Sequence, residues 1–201
     1  MTRKQARSKP MAAMDRRRAI LDVVVPLLIQ KGSAVTTAEI AQAANIAEGT
    51  IFRVFPDKHS ILFEAVKAAI DPTPVAEAIR AVDPSAPMRK QLEEAARALH
   101  EHFDRMVALG ESWRSISAGQ REREQDVGRL IKKSASVISA ALLELFERHR
   151  EALRVSPVEA AAAFRGILFA TRHPLLTPKE QLAVDAALNI LLAGIAKRDR
   201  A

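Results

Sequence analysis

A chain of 201 residues with 48% apolar and 27% charged side chains is long enough for a substantial core and has the composition of a folded protein. The absence of cysteine excludes disulfide frameworks, thiolate catalysis and cysteine-held zinc. No apolar run reaches the roughly 20 residues that cross a bilayer, and the basic N-terminus lacks a signal-peptide core, so a soluble cytoplasmic protein is expected.

Thirty-one Lys and Arg against 24 Asp and Glu leave a formal charge of +7. The excess is concentrated at the start, where Arg3, Lys4, Arg7, Lys9, Arg16, Arg17 and Arg18 face only Asp15. Such an arm suits a polyanion, because each neutralised phosphate releases condensed counterions. A solubilising tail would carry the same charge.

Helical periodicity, frequent Ala and Leu, and almost no β-branched alternation predict an all-α fold. Gly and Pro punctuation divides the chain into about ten helices. These form two segments: residues 1–70, a compact unit with the basic arm, and residues 71–201, a larger helical bundle.

The first helix is expected over residues 12–31, with Ile20, Val23, Val24, Leu27 and Leu28 on one face and Gly32 as its stop. Pro26 lies inside it. An interior proline costs about 3 kcal/mol, and a local kink is predicted. The second helix, residues 37–44, opens at Thr36, three residues before Glu39, which is the spacing of a capping box.

Asn45 then signals a turn into residues 46–55, closed by Pro56. Ala41, Ile46, Ile51 and Phe55 are spaced to bury against Ile20, Val24 and Leu28. That crossing leaves the outer face of residues 47–54 at the surface, where a helix fits the major groove of DNA. A plain three-helix core would share the apolar spacing. Gly49 goes further, since glycine in mid-helix is unfavourable by about 1 kcal/mol relative to Ala and so implies close approach by another surface. Thr50 and Arg53 flank it. Lys58 opens the next helix behind Asp57, where amides and an ammonium together could hold a phosphate.

Thr36-Thr37-Ala38-Glu39-Ile40-Ala41, followed by Gly49-Thr50-Ile51-Phe52-Arg53-Val54-Phe55-Pro56-Asp57-Lys58, resembles the signature of the TetR family, over residues 19–66. The resemblance implies an N-terminal helix-turn-helix whose second short helix reads DNA, and a homodimer regulating transcription. It implies Glu48, Thr50 and Arg53 as base-edge readers, and Thr37 and Lys58 as phosphate-positioning groups. Thr36, Gly49 and Phe52 complete the expected contact surface. Ala47 stands where the family has a capping hydroxyl, Phe52 where it has tyrosine, and Val54 where it has a polar phosphate contact. Losing these polar groups shifts weight to the arm, to Arg16, Arg17 and Arg18, and to apolar contact with thymine methyls.

In the bundle, helices over residues 86–108 and 121–153 carry apolar stripes that simple packing explains. The resemblance places Phe103, Met106, Trp113, Ile116, Phe164 and Phe169 around an internal cavity, with Leu99, Ile138 and Leu168 beside them. An apolar or aromatic effector is expected there, with no cofactor. His100 and Asp104 lie one turn apart, yet no third metal ligand is evident. No nucleophile stands beside a base, and no enzyme activity is expected.

The last two helices, residues 157–171 and 178–197, are more apolar than one neighbour can cover, which points to a two-fold dimer through a four-helix bundle, the alternative being that they close a monomeric core. In the dimer, two recognition helices would sit about 34 to 36 Å apart and read a palindrome. The expectation is a repressor released by its effector. A helical carrier with a basic terminus accounts for the bundle, but not for Gly49 through Lys58.

Overall fold

The computed structural model describes residues 13–117, 121–171 and 182–196; Arg3, Lys4, Arg7 and Lys9 of the basic arm lie outside them. Among the described residues the regular structure is helical, with one isolated bridge between Leu153 and Ala196. None of these helices is long and apolar enough to cross a membrane. The chain forms two compact units. Of the described residues, one takes in those up to Ala68 together with Glu111–Ile116, and the other holds Ala69–Gly110 and those from Ser117 onward.

The first unit contains α1 (Ala13–Lys31), α2 (Thr37–Ala43), α3 (Glu48–Ile51) and most of α4 (Lys58–Ile70). Ile20, Val24 and Leu28 recur every fourth residue along α1 and are buried, as are Ile40, Ala41, Ile51 and Phe55. Each such large side chain contributes about 1.5–3 kcal/mol on leaving water. Val23 and Leu27 fall to the flank and are half-buried, and Ile46 is half-buried as well. Pro26 lies inside a continuous α1, on its exposed side. The carbonyl it leaves without a donor belongs to Asp22, which is also exposed, so water can satisfy it. α1 ends at Gly32, whose φ of 61° favours glycine.

The second unit is built from α5 (Thr73–Arg80), α6 (Met88–Ser117, through Gly110), α7 (Arg121–Glu147), α8 (Pro157–Thr171) and α9 (Val184–Ile195). α7 packs against α5 and α8, and α9 against α8. Arg80 on α5 clamps Glu144 on α7 through two hydrogen bonds of 2.8 and 3.1 Å. At the centre, Phe146 and Phe164 meet edge to face at 5.7 Å. Small Ala160 and Ala161, both buried, let α8 approach its neighbours closely.

Three boundaries differ from expectation, the first being that α6 runs on through Gly110 to Ser117 and does not end near residue 108. α7 stops at Glu147, because a 3-10 turn over Arg150–Ala152 intervenes and Leu153 then pairs with Ala196. The Arg154 amide donates to Ile195 O at 2.7 Å, tying this turn to the end of α9. The last helix begins, among the described residues, at Val184, while residues 172–181 lie outside them.

Candidate functional site

α2 starts with the expected capping box. Thr36 Oγ1 accepts from the Glu39 amide at 3.2 Å, and the Thr36 amide donates to Glu39 Oε2 at 2.8 Å. Lys31 closes on the other carboxylate oxygen at 2.6 Å. That lysine hydrogen bond, followed by the Thr36 amide, lowers the pKa of Glu39 to about 2.

The end of α2 is a Schellman motif. The Ile46 amide reaches back to Ala41 O at 3.0 Å and the Asn45 amide to Gln42 O at 3.1 Å, with Asn45 itself at a φ of 52°. Asparagine tolerates this left-handed geometry better than most residues. The reversal it makes carries the chain directly into α3.

α3 is a single turn, shorter than the eight residues expected. Gly49 weakens it, and Phe55, preceding Pro56, is biased away from helical geometry. Its N-cap is Ala47, which makes no side-chain cap. The missing hydroxyl is partly offset from outside the helix, since Thr37 on α2 donates to Glu48 Oε1 at 2.5 Å and fixes that carboxylate beside the first turn. Glu48, Gly49 and Arg53 are exposed, Phe52 retains 49% of its surface, and Thr50 and Val54 are half-buried.

The cations divide into separate roles. Arg17 donates to Val54 O at 3.4 Å, lies 3.4 Å from a Glu64 oxygen, and stacks on the Phe55 ring. Arg18 is exposed and Arg16 half-buried. Lys58 directs its ammonium at Ser33 O, 2.9 Å away, while Asp57 accepts from the Ser60 amide at 2.7 Å to cap α4. Lys58 thus binds the unit's own backbone.

In the second unit, a cavity of about 540 Å³ opens between α6, α7 and α8. Phe103, Met106, Ile138 and Phe169, all named from the sequence, line it together with Val107, Ile131, Ala135 and Gly166. Phe103 and Phe169 meet edge to face at 5.7 Å. The polar lining residues are His102, Ser134 and Arg165.

Of the other expected lining residues, four lie elsewhere. Leu99, Phe164 and Leu168 are fully buried in the core beside the cavity. Trp113 groups with the first unit, its ring 5.9 Å from that of Phe63. The side chain of Ile116 lies outside the described residues. The sequence reading missed the polar set, of which the trace is three pairs one turn apart: His102 with Met106, Ser134 with Ile138, and Arg165 with Phe169.

His102 is fully buried, its Nε2 3.5 Å from Ser134 Oγ and its Nδ1 without a hydrogen-bond partner. An unpaired buried polar atom costs about 1–3 kcal/mol. Burial, with the charge of Arg105, lowers the pKa of His102 to about 4 against the opposing pull of Asp71. Arg165 Nη1 donates to Ala135 O at 3.1 Å and Ser139 Oγ at 2.5 Å. His100, considered above for a metal, instead bonds Thr171 Oγ1 at 2.8 Å, and that hydroxyl donates to Leu168 O.

Two helices joined by a tight left-handed turn, the second presenting an exposed outer face, define the helix-turn-helix class of folds. Residues 20–65 match the model of the bacterial regulatory proteins of the tetR family. It is 50% identical over 44 residues to the uncharacterized HTH-type transcriptional regulator YvkB of Bacillus subtilis, covering 21% of this chain and 23% of that protein. The matched stretch thus spans less than a quarter of that relative's length.

The fold as a whole is similar to two solved structures. One, from Mesorhizobium loti and assigned to the TetR-family transcriptional regulators, has a TM-score of 0.64 at 19% identity, covering 94% of this chain and 100% of that one. The other, the TetR transcriptional regulator SCO0520 from Streptomyces coelicolor, has a TM-score of 0.61 at 18% identity, covering 90% and 98%. At these identities the likeness concerns the fold.

Proposed function

We propose that the chain is a sequence-specific DNA-binding transcriptional regulator, a homodimer that represses from a palindromic operator and is released by a small apolar or aromatic effector. One observation carries the first part. Gly49 is exposed in α3, without a positive φ, and apart from its chain neighbours and its own helix backbone no heavy atom lies within 4 Å of where its Cβ would stand. Nothing inside the protein requires glycine there, so its cost to the helix is explained by an external surface that the backbone must approach closely.

On this reading Glu48, Thr50 and Arg53 face base edges, and the exposed Phe52 ring meets a thymine methyl. Arg18 and Arg16 contribute to phosphate attraction, whereas Arg17 and Lys58 hold the unit in shape. Thr36 and Thr37 act through the capping box and through Glu48. Phe103, Met106 and Ile138 belong to the effector cavity.

The dimer part rests on apolar surface that the second unit leaves uncovered. Val158 on α8 is 61% exposed and Ile190 on α9 57%, outside the stripe of Leu188, Leu191 and Ile195 that α9 buries. A second copy of the same two helices would cover both.

The test is selection of genomic fragments with the purified protein at physiological salt, followed by binding of the enriched duplex to wild type and Arg53→Ala. Enrichment of one palindrome, lost on mutation, is expected. Binding that survives Arg53→Ala and only fades with salt would leave a basic helical protein without operator specificity. Ile190→Glu should convert a dimer to a monomer in sedimentation; a wild type that sediments as a monomer overturns the dimer.

A further inference from the structure

We infer that the cavity between α6, α7 and α8 takes an uncharged, ring-sized apolar molecule bearing one hydroxyl group, and that His102 with Ser134 reads that hydroxyl. The inference rests on the effector reading given above and makes it specific. The walls set the apolar part: Phe103 and Phe169 present a ring edge and a ring face, Met106 and Ile138 adapt around them, and about 540 Å³ is the size of a small-molecule pocket.

The polar part follows from what each polar lining group already does. Arg165 spends Nη1 on Ala135 O and Ser139 Oγ, which holds its guanidinium against α7. Ser134, also buried, has a long contact of 3.5 Å with His102 Nε2, and His102 Nδ1 has no partner. The pair is therefore undersatisfied in a wall whose other side chains, Arg165 apart, are apolar.

The charge state excludes the ionic alternatives at this end of the cavity. His102 is neutral at pH 7 because burial and Arg105 keep protons off it, so a carboxylate gains no counter-charge from the imidazole. An ammonium would be repelled by Arg105 and Arg165. A neutral imidazole nitrogen is a donor or an acceptor according to tautomer, and the serine hydroxyl also turns to suit. A ligand hydroxyl, which both donates and accepts, satisfies either arrangement, whereas a carbonyl satisfies only one.

The test measures binding of naphthalene, 2-naphthol and 2-naphthoate to the full-length protein by calorimetry at neutral pH. The expected order is 2-naphthol about tenfold tighter than naphthalene, because a buried hydrogen bond is gained, with 2-naphthoate weakest. His102→Phe should bring 2-naphthol down to the level of naphthalene. Ser134→Ala, a smaller change that leaves the fold undisturbed, should weaken 2-naphthol several-fold and leave naphthalene unchanged.

Equal affinity for naphthalene and 2-naphthol would overturn the inference while leaving the effector cavity standing. Tightest binding by 2-naphthoate, lost in Arg165→Gln, would replace it with an anion site at Arg165. Failure of all three to bind would overturn the inference and the effector reading together, whereas operator selection tests the regulator independently.

Discussion

The guanidinium carbon of Arg17 lies 4.5 Å from the centre of the Phe55 ring, on the side of α1 that runs on into Ile20 and Val24. One arginine of a run of three is thereby drawn into the core it borders, where it also reaches Val54 O and Glu64. Arg17→Ala should lower stability by about 1 kcal/mol through lost cation–π and hydrogen-bond contacts. Arg18→Ala should leave stability unchanged and reduce the salt slope of operator binding by about one phosphate. Denaturant melts and salt titrations of the two variants check the division; equal stability losses would contradict it.

Gly49→Ala should act with opposite signs on two measurements. Its added methyl meets open space, so helix propensity raises stability by up to about 1 kcal/mol. The same methyl stands between α3 and any surface pressed against it, so operator affinity falls. A variant both more stable and equally well bound would remove the argument that glycine serves an external contact.

Asn45 should be replaceable by glycine at little cost and by alanine at about 1 kcal/mol, because only the left-handed φ of the Schellman turn discriminates among them. Chemical denaturation of Asn45→Gly and Asn45→Ala gives the difference directly. Comparable losses for both would mean that the side-chain amide, and not the backbone, holds the turn.

Acid should destabilise the protein in two windows. His102 has a folded pKa of about 4 against an ordinary 6.5, so the unfolded chain binds the extra proton, and stability present above pH 6.5 is lost as pH falls toward 4. His149, lowered by burial and by Arg148, acts in the same direction. His102→Phe should therefore reduce the slope of this window without abolishing it. Glu39, lowered from 4.5 to about 2 by Lys31 and Thr36, contributes stability above pH 4.5 that is lost between 4.5 and 2. Asp83, Glu144 and Glu159 are lowered by their own hydrogen bonds as well, so Glu39→Gln should reduce the slope of that lower window without abolishing it and leave the upper window unchanged. Melting temperatures across the range separate the two, and an unchanged profile in either variant would refute its assignment.

The N-terminal architecture was legible because its signals are local. Thr36 and Glu39 stand at capping-box spacing, Asn45 marks the turn, and Ile20, Val24 and Leu28 repeat with the helix. Arg17 was legible in the same way, lying one turn before Ile20 on that stripe, yet a charge count treats it like Arg18.

The cavity was not legible, because it depends on which helices come together. Leu99 and Phe103 are one turn apart on the same stripe of α6, but Leu99 meets the packed core and Phe103 lines the opening. His102 reads as a solvated neighbour of that stripe until α7 brings Ser134 beside it. Trp113 continues the same helix but groups with the other unit, a change of surroundings that no periodicity records.

Trp113 is the sole tryptophan in a chain without tyrosine, and it sits against Phe63 in the first unit. Intrinsic fluorescence is thus a spectroscopic tag for that unit, placed there without labelling. Far-ultraviolet dichroism averages over all the helices. Following both signals through one heating ramp measures whether the unit bearing α3 melts in step with the rest of the chain or on its own schedule.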